Sequence, residues 1–223
     1  MNLSTIIAFL IPPFIALILI LMASRILDKK HLALFASSYF FGILTVIPMI
    51  AGLYLALENN LLKFPHSFTD ILLFSFIVVG FLAEFTKYLL LKHYFVPKDG
   101  IHKPFDGILF SVMISMGFAT VANVYFFTAL PAPFNLPVVY YSLPVTNLIV
   151  GIMLGFFAGI GKFRKNRVDF WTGLGVAIFF QGFYIFGLLA ADYLLIALVG
   201  TVTLIIAVLL SLRSLNSNAH QTI

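Results

Sequence analysis

An ionisable side chain at the centre of a bilayer costs about 2.5–3.5 kcal/mol on insertion scales, so one inside an apolar stretch is a functional candidate by default. In this 223-residue sequence Glu84 and Lys87 meet that description, set in an otherwise apolar run. Three residues apart, they share one helix face and can pair, dividing the desolvation cost. Two chemistries suit such a pair. One is structural, a buried ion pair that locks its helix to its neighbours, with Lys87 also able to snorkel toward the surface. The other is active, with Glu84 as a general base or the pair as a proton relay. Further polar candidates sit in other apolar runs: Asn123, Thr146 and Asn147 after Pro144, and Gln181 ahead of Gly182. Asp106 opens a run before Gly107, where a carboxylate caps free N–H groups and suits the helix dipole.

Several chemistries lack their parts. The sequence has no cysteine, which removes thiol nucleophiles and thiolate metal sites. His31, His66, His93, His102 and His220 fall in loops or at the ends of apolar runs. A Ser/His/Asp triad therefore has no histidine at the depth of Glu84. Zinc needs three protein ligands, and only an unpatterned loop-side set, His93 and His102 with Asp99 or Asp106, approaches that number. Paired-carboxylate activation of water also fails, because Glu84 has no second acid at its depth.

The elements that must hold these residues follow from composition. Apolar residues make up 62% of the chain and charged residues 9%, against roughly 45–50% and 25% in soluble domains. Such a chain cannot cover a water-facing surface without large apolar patches, so its solvent is lipid. A span needs ~20 apolar residues. The sequence predicts an all-α, polytopic bundle of seven spans: Thr5–Ala23, Leu32–Leu57, Ile71–Leu91, Gly107–Leu130, Val138–Ile160, Phe170–Ala190 and Tyr193–Leu212. Pro97, Gly100 and Pro104, then Pro131, Pro133 and Pro137, break the runs between the third, fourth and fifth spans. Pro12, Pro13, Pro48 and Pro144 bend spans from within.

Basic residues set the expected orientation. Arg25, Lys29, Lys30, Lys92, Lys98, Lys103, Lys162, Arg164, Lys165, Arg167 and Arg213 follow alternate spans, against Lys63 on the opposite side. The positive-inside rule then places the N-terminus outside and the C-terminus in the cytoplasm. The first span lacks a basic segment ahead of it and reads as an uncleaved reverse anchor. The charge of +5 is used for topology, so no nucleic-acid partner is implied. Residues 1–223 read as one integral membrane domain, ending in a short polar cytoplasmic tail over 213–223. At ~1.5 Å per residue, Glu84, Asn123, Asn147 and Gln181 fall within about 10–12 Å of one another in depth, which suggests one buried polar site. The small residues of span four, from Ser111 and Ser115 to Ala122, are expected to pack against span three.

The segment Ala83-Glu84-Phe85-Thr86-Lys87, then Pro104-Phe105-Asp106-Gly107, then Gly117-Phe118-Ala119-Thr120-Val121-Ala122-Asn123 resembles the PrsW family of intramembrane proteases, distant relatives of the CAAX prenyl endopeptidases. The resemblance is strongest over 80–187. It implies a membrane-embedded peptidase with a paired Glu-Glu ahead of a base, a second Glu before the Asn, and one His in each of two later spans. This chain keeps Glu84, Lys87, Asp106 and Asn123. It carries Ala83 and Ala122 where the family pattern has Glu, and Thr146 or Asn147 and then Gln181 where it has His. Zinc would be the cofactor only if metalloprotease chemistry persisted, which the missing histidines oppose.

Three functions are consistent with these residues. The first is a catalytically impaired PrsW-like protein in a bacterial inner membrane that binds a transmembrane segment of another protein. The second is an active endopeptidase, with Glu84 as base and Asn123 or Gln181 holding the oxyanion. The third is a small ion or proton-coupled transporter, for which no inverted repeat is visible.

Overall fold

The computed structural model of the chain describes residues 3–58, 67–98, 100–129 and 137–219. Calls on Lys63, His66, Asp99, Pro131, Pro133 and His220 lie outside them. The described residues form helices joined by short turns, with no strand, and seven helices are long and apolar enough to cross a membrane. The helices are α1 (Leu3–Ala23), α2 (Lys29–Leu44), α3 (Val46–Glu58), α4 (Phe68–Leu73), α5 (Leu82–Leu90), α6 (Pro104–Ala129), α7 (Pro137–Arg164), α8 (Arg167–Leu189) and α9 (Tyr193–Ala219). The second span is α2 and α3 end to end; the third joins α4 and α5 through π-helical turns.

Local sequence explains the breaks. Pro48 lacks an N–H, and the second span divides at Thr45, whose N–H and hydroxyl both turn back to the Gly42 carbonyl at 3.1 and 2.6 Å. The Thr86 hydroxyl donates to the Thr45 carbonyl across 3.0 Å, so the third span braces the break. The hairpins α7–α8 and α8–α9 close through Lys165 and Ala191, both at φ 52°. In each, the next N–H returns to the helix end: Asn166 to Gly161 at 3.1 Å and Asp192 to Gly187 at 2.9 Å. Asn166 and Asp192 then accept N–H groups of α8 and α9.

α6 and α7 form the centre of the bundle, while α1 and α9 present rows of exposed leucine, isoleucine and phenylalanine to lipid. The small face of α6, expected to pack on span three, touches that span only marginally. It packs on α7 and α2. Gly151, Gly155 and Gly159 repeat every four residues on α7 and meet Gly107, Ser111 and Ser115 of α6. A methyl group at Gly159 would stand 2.3 Å from the Pro104 carbonyl oxygen, and one at Gly155 2.5 Å from that of Gly107. Backbones in lipid approach this closely where small residues such as glycine and serine line the contact. Gly117, on another face, meets the Tyr39 carbonyl of α2 in the same way.

Two apolar clusters fill the interior. One holds Phe35, Phe95, Phe110 and Met113, toward the end of the bundle that carries the basic loops. The other holds Met49, Ala83, Phe118, Ala122, Phe126 and Leu143. At the basic end, Lys92 donates to the Tyr88 hydroxyl at 2.6 Å and lies 5.0–5.3 Å from the ring centres of Tyr88, Phe170 and Trp171. Its stem is thus covered by aromatic rings of the kind enriched at membrane interfaces.

Asp28 caps α2, accepting the His31 N–H at 2.9 Å and contacting the His31 ring at 2.5 Å. The N–H bond first, and then the ring bond, hold its carboxyl below the usual carboxylate range. Stability from this cap is therefore present above the ordinary carboxylate pKa and is lost as pH falls through the lowered one. The protection factor of the His31 amide, its exchange rate taken relative to the intrinsic rate at each pH, should fall as pH drops through that acidic window in the native chain and show no such step in Asp28→Asn. For the glycine seam, Gly159→Val should lower unfolding free energy in detergent by about 1–3 kcal/mol through overpacking. Gly175→Ala, where an added methyl meets nothing within 4 Å, should not destabilise.

Candidate functional site

The site starts from α5. π-helical segments precede it at Phe74–Phe81 and follow it at Leu91–Phe95. Wide turns of this kind shift the helical phase locally and occur often at functional sites. Between them, Glu84 and Lys87 face inward and both are 0% exposed. The Lys87 ammonium donates to Glu84 Oε1 at 2.6 Å and to Asn147 Oδ1 of α7 at 2.9 Å, and it lies 4.6 Å above the Phe118 ring of α6. Asn147 Nδ2 donates in turn to the Leu143 carbonyl one turn earlier. Ala83 belongs to one apolar cluster and Tyr88 to the other, so the ion pair sits at their junction.

A buried ion pair is stable only when the remaining donors and acceptors are satisfied. Here satisfaction is incomplete. Glu84 Oε2 and Gln181 Oε1 are buried with no hydrogen-bond partner. Gly80, one turn before Glu84, lies against Gly182 of α8, which brings Gln181 to the same helix contact.

The other polar residues do not join this centre. Asn123 is buried, but its amide nitrogen donates to the Tyr140 carbonyl at 2.9 Å and to Ala8 of α1 at 3.4 Å, tying α1, α6 and α7 together. Thr146 lies one residue and therefore about 100° around α7 from Asn147. It lines a groove toward α9 with Tyr184 and Gly200, and its hydroxyl bonds the Ser142 carbonyl at 3.0 Å. Asp106 is in the first turn of α6, at the basic end. Its carboxylate accepts the His102 and Lys103 N–H groups at 2.8 and 3.0 Å, reaching back to the residues that lead into the helix.

Ala83 and Ala122 are 1% and 0% exposed and fall in the same apolar cluster, beside Phe118 and Leu143. Two residues beyond the polar candidates also shape the site. Thr86 fixes α5 to the break in the second span, and Phe118 roofs the Lys87 ammonium. Thr86 was visible as a hydroxyl beside the pair; nothing in the sequence marked Phe118 as a partner of Lys87.

Matches to known proteins bear on this geometry. The family model described as PrsW family intramembrane metalloprotease matches residues 30–212, which include every residue of the site. The chain belongs to the PrsW family. Protease PrsW of Shouchella clausii is 29% identical over 167 residues, 74% of each chain. Protease PrsW of Bacillus subtilis is 29% identical over 171 residues, covering 75% of this chain and 74% of that one. Protease PrsW of Clostridioides difficile is 32% identical over 119 residues, about half of each. No solved structure matches the chain.

The family description implies a metal ion, and the donor set here does not fit one. Zinc takes three protein ligands and an open position. The buried centre offers one carboxylate, already 2.6 Å from an ammonium, with amides beyond it. Among the described residues no three His, Asp or Glu side chains are grouped to hold a metal. His102 packs its ring on His31 at 5.4 Å instead of joining His93 in a ligand set.

The coupling in this PrsW family member is open to measurement. Lys87→Met strands the Glu84 carboxylate in an apolar interior and should cost about 3–5 kcal/mol in detergent unfolding. The double variant Glu84→Gln/Lys87→Met should recover most of that loss.

Proposed function

We propose that this chain is a catalytically impaired member of the PrsW family that binds transmembrane segments of other membrane proteins without cleaving them efficiently. The observation that carries the reading is the pairing of Ala83 with Ala122. Both stand where the resemblance implies glutamates, and both are packed into one apolar cluster. The remaining acid is held by Lys87, itself held by Asn147. General acid–base groups contribute about 10²–10⁴-fold each, so a site without them binds better than it reacts. The protein is integral to the membrane, and we place it in a bacterial inner membrane with its basic loops in the cytoplasm. The bilayer and a partner's transmembrane helix are then its ligands, and nucleic acid is not.

One observation favours a second reading, an active endopeptidase. Glu84 Oε2 is buried without a partner, as a base awaiting a water molecule would be. The two readings differ in one assay. Purified protein in proteoliposomes is incubated with a single-span reporter carrying a photo-crosslinker in its membrane segment. Impairment predicts crosslinking, cleavage at least about 10²-fold below an active family member, and no change in either on Glu84→Gln. Efficient cleavage abolished by Glu84→Gln would establish the second reading, and absence of crosslinking would remove the first.

A further inference from the structure

The basic end of the bundle carries two adjoining spaces whose linings do not include Glu84 or Lys87. A cavity of about 390 Å³ lies between the end of α1, the start of α2 and the start of α6, with walls of Leu27, Phe35, Leu109 and Phe110 and with His102, Lys103 and Asp106 also on its lining. That volume falls within the range of small-molecule sites. Beside it, a hollow of about 470 Å³ is lined by Lys30, Ser37 and Lys98. His31 lines both spaces. Its ring is fixed by Asp28 at 2.5 Å through Nδ1, while its Nε2 is buried and has no hydrogen-bond partner.

Among the described residues, the lysines around these spaces are not paired with carboxylates. Lys30, Lys98 and Lys103 make no ion pair with a described residue. Two described acids nearby are engaged: Asp28 by His31, and Asp106 by the His102 and Lys103 N–H groups. The Lys162 ammonium of α7 donates to the Ile101 carbonyl, just ahead of α6, at 2.9 Å. An oily cavity and a cationic hollow, joined at an imidazole and set at the end of a membrane bundle, call for one amphipathic anion. Basic pockets between spans bind the headgroups of anionic lipids in this way.

We propose that this end of the molecule binds one anionic glycerophospholipid, its phosphate in the hollow of Lys30, His31 and Lys98 and an acyl chain in the adjoining cavity. A free phosphate satisfies the lysines equally but leaves the apolar cavity without an occupant. The headgroup seats against the His31 ring, which Asp28 orients. The acyl chain enters past Ile26, which is 85% exposed at the rim.

The test uses the full chain in nanodiscs of phosphatidylcholine, with phosphatidylglycerol added and bound lipid counted by native mass spectrometry. One phosphatidylglycerol per chain is expected. Lys30→Gln/Lys98→Gln should weaken retention by about tenfold or more. Leu109→Trp, which fills the cavity without touching the lysines, should weaken it comparably, with thermal unfolding followed to show that each variant is folded. Glycerol phosphate, which lacks acyl chains, should not displace the lipid. Equal retention of phosphatidylcholine, unchanged binding in folded variants, or displacement by glycerol phosphate would each overturn the proposal.

Discussion

An ammonium and a carboxylate sealed from water inside a lipid-facing bundle set the terms for the rest of this structure. Neither Glu84 nor Lys87 could stay charged there alone, since each would lose its hydration. Their 2.6 Å contact is made possible by spacing on α5. It is completed only because α7 is close enough for Asn147 to reach the ammonium. That closeness depends on the bundle's centre, where α6 and α7 approach along Gly151, Gly155 and Gly159. Packing and electrostatics are one constraint here.

The same arrangement governs chemistry. A carboxylate acts as a base when its lone pair is available and its pKa suits the task. In Glu84 one oxygen is bound to Lys87 and the other is unpartnered, so the residue is half structural and half uncommitted. The chain belongs to the PrsW family. The side chains on α5 and α6 depart from it where Ala83 and Ala122 close the neighbouring space with methyl groups.

Much of the fold was legible because lipid makes hydropathy nearly decisive. All seven spans are helices, and Pro48 marks the place where the second one breaks. The pairing of Glu84 with Lys87 could be read from a spacing of three. The sequence misled where depth stood in for direction. Asn123 and Asn147 lie at similar depth but on different faces, and they satisfy different carbonyls. Thr146 and Asn147 are neighbours that face different helices. The π-helical turns around α5 are invisible to a 3.6-residue wheel, so the phase of the third span could not be extrapolated from its ends. The partner of span four was misassigned because its small residues were read alone. The matching repeat on α7 was present in the sequence and would have named the neighbour.

The apolar cluster shared by Ala83 and Ala122 bears on the history open to this chain. A carboxylate introduced at either position would be buried among Phe118, Leu143 and Met49 with no counter-ion of its own, since Lys87 already serves Glu84. Such a burden is several kcal/mol, a large share of the stability a domain of this size commands. Single substitutions toward a fuller acid set therefore pass through an unstable intermediate. On a mutational landscape the two states face each other across a valley, and the methyl groups at 83 and 122 act as a ratchet.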